Sequence, residues 1–254
     1  MASSSQPTLR SAQGPSNPPT RTPRRALVTA VVLILVFQRL VPFGREILYP
    51  FTLLATWVHE MGHGLTALIL GGHFVKLEIF GDGSGLAHTA VSVGWRDALV
   101  AMGGLLAPPV AGASILAFAH GGRRARGLLA FLAGALVISV AIWVRSPAGV
   151  IAMPLLALGF GYMAWRSTPD RRLLLAQGIG VLLALDTVTR IDYLFSASAE
   201  VDGARRSSDI SRVAEALGGH YLLWGCLLAL ISLGLCALGV WRAWRQPTAT
   251  PRRG

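Results

Sequence analysis

The sequence predicts an all-α polytopic membrane protein of about six transmembrane helices, with one short β-hairpin after the second apolar segment. Three observations predict it. Of 254 residues, 53% are hydrophobic and only 14% charged, where soluble domains average about 25% charged. The mean hydropathy is +0.55. Apolar runs long enough to cross a bilayer recur from one end of the chain to the other. The net charge of +11 does not imply nucleic acid. The arginines gather at the ends of apolar runs, where they set topology and meet anionic headgroups, and no segment interleaves basic with aromatic residues. Cys226 and Cys236 share one apolar segment on different helix faces, so both read as small buried residues rather than a disulfide.

Residues 1–25, rich in Ser, Pro, Gln and Thr, predict a disordered tail. The run that follows lacks a small-residue cleavage site and ends in Gln38-Arg39 and Pro42, which excludes a signal peptide. Residues 26–43 therefore read as the first transmembrane helix, with Arg39 reaching towards the interface. A second helix is expected over 50–71, starting near Pro50 and stopped by Gly71-Gly72. In 73–93, His73, Val75, Leu77 and Ile79 alternate with Phe74, Lys76, Glu78 and Phe80. Gly81-Asp82-Gly83-Ser84-Gly85 and a second run from Leu86 to Val93 complete a hairpin signal. Further apolar segments lie at about 97–119, 127–144, 148–165, 173–195 and 220–241, with a short amphipathic helix from Asp209 to about Leu217. The first of these carries a break, Gly103-Gly104-Leu105-Leu106-Ala107-Pro108-Pro109, that suits either a cavity lining or a packing kink. A membrane-embedded domain thus spans 26–241, followed by a basic C-terminal tail over 242–254.

Seven apolar segments would divide the basic residues evenly between the two sides of the membrane. If one of the first three does not fully cross, fourteen fall on the side of both termini against five opposite. The positive-inside rule therefore favours six crossings and two cytoplasmic termini. Arg123-Arg124-Ala125-Arg126 reads as a solvated loop within that pattern.

Within the second segment stands Thr56-Trp57-Val58-His59-Glu60-Met61-Gly62-His63-Gly64. On a helix, residues four apart share a face, so His59 and His63 can reach one metal ion with Glu60 beside it. Imidazole nitrogens bind Zn²⁺ at about 2.0–2.1 Å, and a catalytic zinc site uses three protein ligands and one open position. The metal brings the pKa of water there towards about 7, and a carboxylate such as Glu60 takes its proton as the water attacks a carbonyl. A purely structural role for the two histidines is disfavoured by the cost of ionisable groups in a membrane.

A third ligand must come from elsewhere. Burial cost favours Asp186, deep in Val181-Leu182-Leu183-Ala184-Leu185-Asp186-Thr187-Val188, ahead of Asp192 beside Tyr193. Asp209 opens a short helix, where N-capping alone would account for it, and it follows those two as a further candidate. His73, His88, His120 and His220 stand at segment ends as remaining nitrogen candidates.

The His59 to Ala67 stretch, the glycine-bearing hairpin after it and an aspartate in a late helix together resemble the site-2 protease family of intramembrane zinc metalloproteases. The likeness is strongest to its compact bacterial branch without a PDZ domain, over about residues 50–215, with Phe80 to His88 and Ser208-Asp209 among the shared features. The resemblance implies a zinc metalloendopeptidase in a bacterial cell membrane, acting on membrane-protein or membrane-associated substrates. It makes Glu60 catalytic, His59 and His63 zinc ligands, and gives the aspartate role to Asp186, although Leu185-Asp186-Thr187 stands where members carry Leu-Asp-Gly. The hairpin then reads either as an edge strand that holds unwound substrate or as a plug in the bundle. Two other functions compete. A metal transporter would need ionisable residues relayed over successive helices or an inverted repeat, and neither is visible. A catalytically inactive relative that only binds membrane proteins would have no use for Glu60.

Overall fold

A computed structural model describes residues 23–39, 43–189 and 195–245. Residues 1–22 of the expected N-terminal tail, the end of the C-terminal tail and Asp192 lie outside the described residues, as does the Arg39 side chain, while residues 23–25, expected in the tail, open the first helix. Among the described residues, seven long helices carry the fold: α1 (Pro23–Arg39), α2 (Gly44–Ile69), α3 (Trp95–Phe118), α4 (Gly122–Ile142), α5 (Pro147–Arg166), α6 (Pro169–Thr189) and, after a short α7 (Asp209–Leu217), α8 (Tyr221–Trp244). Between α2 and α3 runs an antiparallel hairpin, β1 (His73–Ile79) with β2 (Gly85–Ala90). A second pair, β3 (Ser198–Val201) with β4 (Ala204–Ser207), precedes α7.

The all-α membrane class holds, with a different number of spans. Among the described residues, four helices, α3, α4, α5 and α8, are long and apolar enough to cross a membrane, where six crossings were expected. The others fall short for visible reasons. Helix α1 is described over 17 residues, and its apolar stretch within them is Arg25–Ile34. The long helix α2 carries Arg45, Glu46, His59, Glu60 and His63, and α6 carries Asp170, Arg171, Arg172, Gln177 and Asp186. Helix α2 also starts earlier than Pro50, which sits inside it.

The core forms where α2, α4, α5, α6 and the hairpin meet, around Leu54, Trp57, Leu77, Leu136, Met153 and Ile179. The hairpin is pinned there from both ends. Leu77 N–H donates to Trp143 O (2.8 Å) and Arg145 N–H to Leu77 O (2.9 Å), so the α4–α5 connection pairs with the outer side of β1. Ser146 caps α5 by accepting from Gly149 N–H, with Pro147 at the first helical position, and its hydroxyl also donates to Ile79 O (2.7 Å). The simple alternation expected of β1 is broken by a register shift between Phe74 and Lys76. One extra residue turns Val75 out to 62% exposure while Phe74, Leu77 and Ile79 are buried. Phe74 then stacks on Trp143 (centroids 4.8 Å apart) and fits over Gly64, where a Cβ would come within 2.2 Å of its ring.

Candidate metal centre

Helix α2 offers its two histidines as the spacing requires, and α7 brings the third group to them. His63 Nε2 lies 3.1 Å from His59 Nε2, and Asp209 Oδ2 lies 3.2 Å from each. Tetrahedral bonds of about 2.0–2.1 Å place ligand atoms roughly 3.3–3.4 Å apart, so this near-equilateral triangle has the size of one face of such a site. His63 Nδ1 is 2.8 Å from Val100 O. A carbonyl only accepts, so the proton sits on Nδ1 and the Nε2 lone pair points into the triangle, the arrangement expected of a metal-binding histidine. Two imidazole nitrogens and a carboxylate oxygen directed at one point need a positive charge between them, and the donor set fits a divalent metal ion.

Asp209 is the candidate that sequence reasoning ranked below Asp186 and Asp192. Its position at the start of α7 suggested a cap, but Ser208 does the capping, accepting from Ser211 N–H (3.2 Å). The Asp209 carboxylate is thereby left to face α2. Arg212, one turn on, places Nη1 3.5 Å from Asp209 Oδ1 and Nη2 2.5 Å from Asp97 Oδ1.

Helix α3 supports all of this from one face. Asp97 holds Arg212, Val100 orients His63, and Gly104 leaves room for the imidazole, since a Cβ there would come within 2.2 Å of His63 Nε2. The spacing i, i+3, i+7 aligns them. Gly62 and Gly103 bring the two helices into backbone contact beside the site. The break at Gly103 to Pro109 thus belongs to the site wall, inside a helix that continues through both prolines.

Glu60 is buried, and its Oε2 accepts from Ala87 N–H on β2 at 2.7 Å. Leu77 turns its polar groups away from β2, so its partner Ala87 directs its own away from β1, onto the outer edge of the sheet. The free edge of the hairpin therefore runs beside Glu60. Gly85 makes this approach possible, because a Cβ there would lie 2.8 Å from Glu60 Cγ.

The other candidates are elsewhere. Asp186, the third ligand favoured from sequence, is half-buried on α6 and is not one of the three residues brought together. His73 is exposed, His88 pairs with Glu78, His120 lies in the α3–α4 turn, and His220 caps α8. Among the described residues, His59, His63 and Asp209 form the one group of this kind that could hold a metal ion.

Apolar spanning helices around a buried two-histidine, one-aspartate group define a membrane protein with a candidate metal centre. Residues 26–239 match the family described as Peptidase M50B-like, and the chain belongs to that family of peptidases. No curated protein and no solved structure matches it.

Proposed function

We propose that the protein is a membrane-embedded zinc metalloendopeptidase that hydrolyses peptide bonds of membrane proteins or membrane-associated peptides. The observation that carries this reading is the convergence of His59, His63 and Asp209 next to Glu60 in a chain of the Peptidase M50B-like family. His59, His63 and Asp209, rather than Asp186, would hold the ion. When bound, zinc polarises a carbonyl and acidifies water at its open position. Glu60 acts as the general base, with Ala87 N–H fixing one carboxylate oxygen so that the other is free to accept a proton. Val100 and Arg212 keep the ligand atoms aimed while substrate enters.

The outer edge of β2 suits an unwound substrate strand, because main-chain pairing there would lay the peptide alongside Glu60. Proline at Thr89, which shares the outward parity of Ala87, should reduce cleavage with metal content intact. Full cleavage by that variant would make the hairpin a plug. The excess of arginines beyond one set of helix ends favours both termini in the cytoplasm of a bacterial cell, which reporter fusions to the two tails would test.

The principal experiment is Glu60→Gln. It should keep a full complement of zinc and lose roughly 10²–10⁴-fold in turnover of a single-pass membrane substrate, since an amide cannot accept the proton. A Glu60→Gln protein that cleaves at the wild-type rate would rule out this chemistry.

A further inference from the structure

Two apolar cavities of about 360 and 480 Å³ open between α1, α2, α5 and α6, away from the metal centre. The first follows one face of α6 from Arg171 to Leu182 in steps of three and four residues, roughly 16 Å at 1.5 Å per residue. The second follows one face of α5 from Ala152 to Met163, also roughly 16 Å. They meet at Phe51, Met163 and Leu175, next to the α5–α6 turn. Of the described residues lining either cavity, Arg171 alone is charged, and it stands at the junction end.

We propose that this forked groove binds one diacyl phospholipid with an anionic headgroup, its phosphate at Arg171 and its two acyl chains along α5 and α6. Since α5 ends at Arg166 and α6 starts at Pro169, both branches start beside the same short turn, as two chains do from one glycerol. A transmembrane helix, about 10–12 Å across with its side chains, matches neither the fork nor the single cation. The sign of the headgroup follows from the arginines around the turn, Arg166, Arg171 and Arg172, which outnumber the one carboxylate there, Asp170. The Arg172 guanidinium is used within the fold, donating to Met163 O and Trp165 O. For Arg171, no ion pair forms among the described residues. Arg126 lies over the ring of the exposed Trp165, 5.7 Å from its centroid, at the same end of the bundle. Arginine with tryptophan marks a headgroup level, and the arginine-rich side is the one that faces anionic lipid.

Two glycines allow each branch to be filled separately. A Cβ at Gly159, in the α5 branch, would meet nothing within 4 Å, and at Gly178, in the α6 branch, only Ala30 Cβ at 4.0 Å. The test is native mass spectrometry of the full chain titrated with phosphatidylglycerol, phosphatidylcholine of the same chains, lysophosphatidylglycerol and glycerol phosphate. Wild-type protein should take up one phosphatidylglycerol in preference to phosphatidylcholine. Arg171→Gln should weaken phosphatidylglycerol about fivefold, the loss of one interfacial arginine, and leave phosphatidylcholine unchanged. Gly159→Leu should weaken the diacyl lipid and spare the lyso form. Equal uptake of the two headgroups by the wild type, unaltered binding in Arg171→Gln, or glycerol phosphate binding as tightly as the lipid would each overturn the proposal.

Discussion

On the hairpin, His88 Nε2 approaches Glu78 Oε2 at 2.6 Å while Lys76 Nζ sits 3.0 Å from Glu78 Oε1. At the junction of α2 with α7, two histidines approach Asp209 at 3.2 Å, and the nearest arginine addresses its other oxygen. Both groupings join histidine to a carboxylate, yet they are built to different ends. The hairpin brings its own cation on an exposed face, so its carboxylate is fully answered. In the buried cluster the three facing atoms are all potential lone-pair donors, and the chain aims them with Val100 and Arg212 instead of supplying a lysine. The difference shows what marks a candidate metal centre. Proximity of histidine and acid is not sufficient; convergence of oriented lone pairs in a buried place is.

This contrast can be broken at the arginine. Arg212→Gln should weaken metal binding roughly 10–100-fold, the usual cost of losing a group that orients a ligand, while Lys76→Gln should leave it unchanged. Chelator competition on the purified variants measures both. If the two substitutions behave alike, Arg212 does not position Asp209.

A smaller effect is expected on the hairpin. Glu78 is held below its usual pKa, first by the Lys76 hydrogen bond, against the opposing effect of burial, and then by His88. A carboxylate with a lowered folded-state pKa stabilises the fold above its unfolded value and loses that contribution as pH falls through the folded one. Glu78→Gln should therefore cost no more than about 1 kcal/mol at neutral pH, as exposed ion pairs do, and the deficit should vanish in acid. Thermal unfolding of the variant at several pH values would show it, and a deficit that persists in acid would mean that Glu78 acts through packing.

Legibility from sequence followed the distance between partners along the chain. His59, Glu60 and His63 declare themselves because helical spacing alone puts them on one face. Asp209 lies 150 residues from His59, and no local pattern reports that approach. Burial cost pointed to Asp186 because an acid within an apolar run is the stronger signal, while Asp209 looked like a routine cap. The clue available was Ser208 before it, a better N-cap that leaves the aspartate unexplained. The first hairpin was readable from its alternation and glycine turn, but the bulge at Val75 was not, since one extra residue leaves no compositional trace. The second hairpin was missed although Asp202-Gly203, both at positive φ, is a strong two-residue turn signal; its strands have only four residues each.

The central claim is that the third ligand comes from α7. Metal content of purified Asp209→Ala and Asp186→Ala, measured side by side on folded protein, tests it most directly. The account predicts that Asp209→Ala loses its zinc while Asp186→Ala retains one ion per chain. Zinc retained by Asp209→Ala and lost from Asp186→Ala would contradict it and move the site to α6.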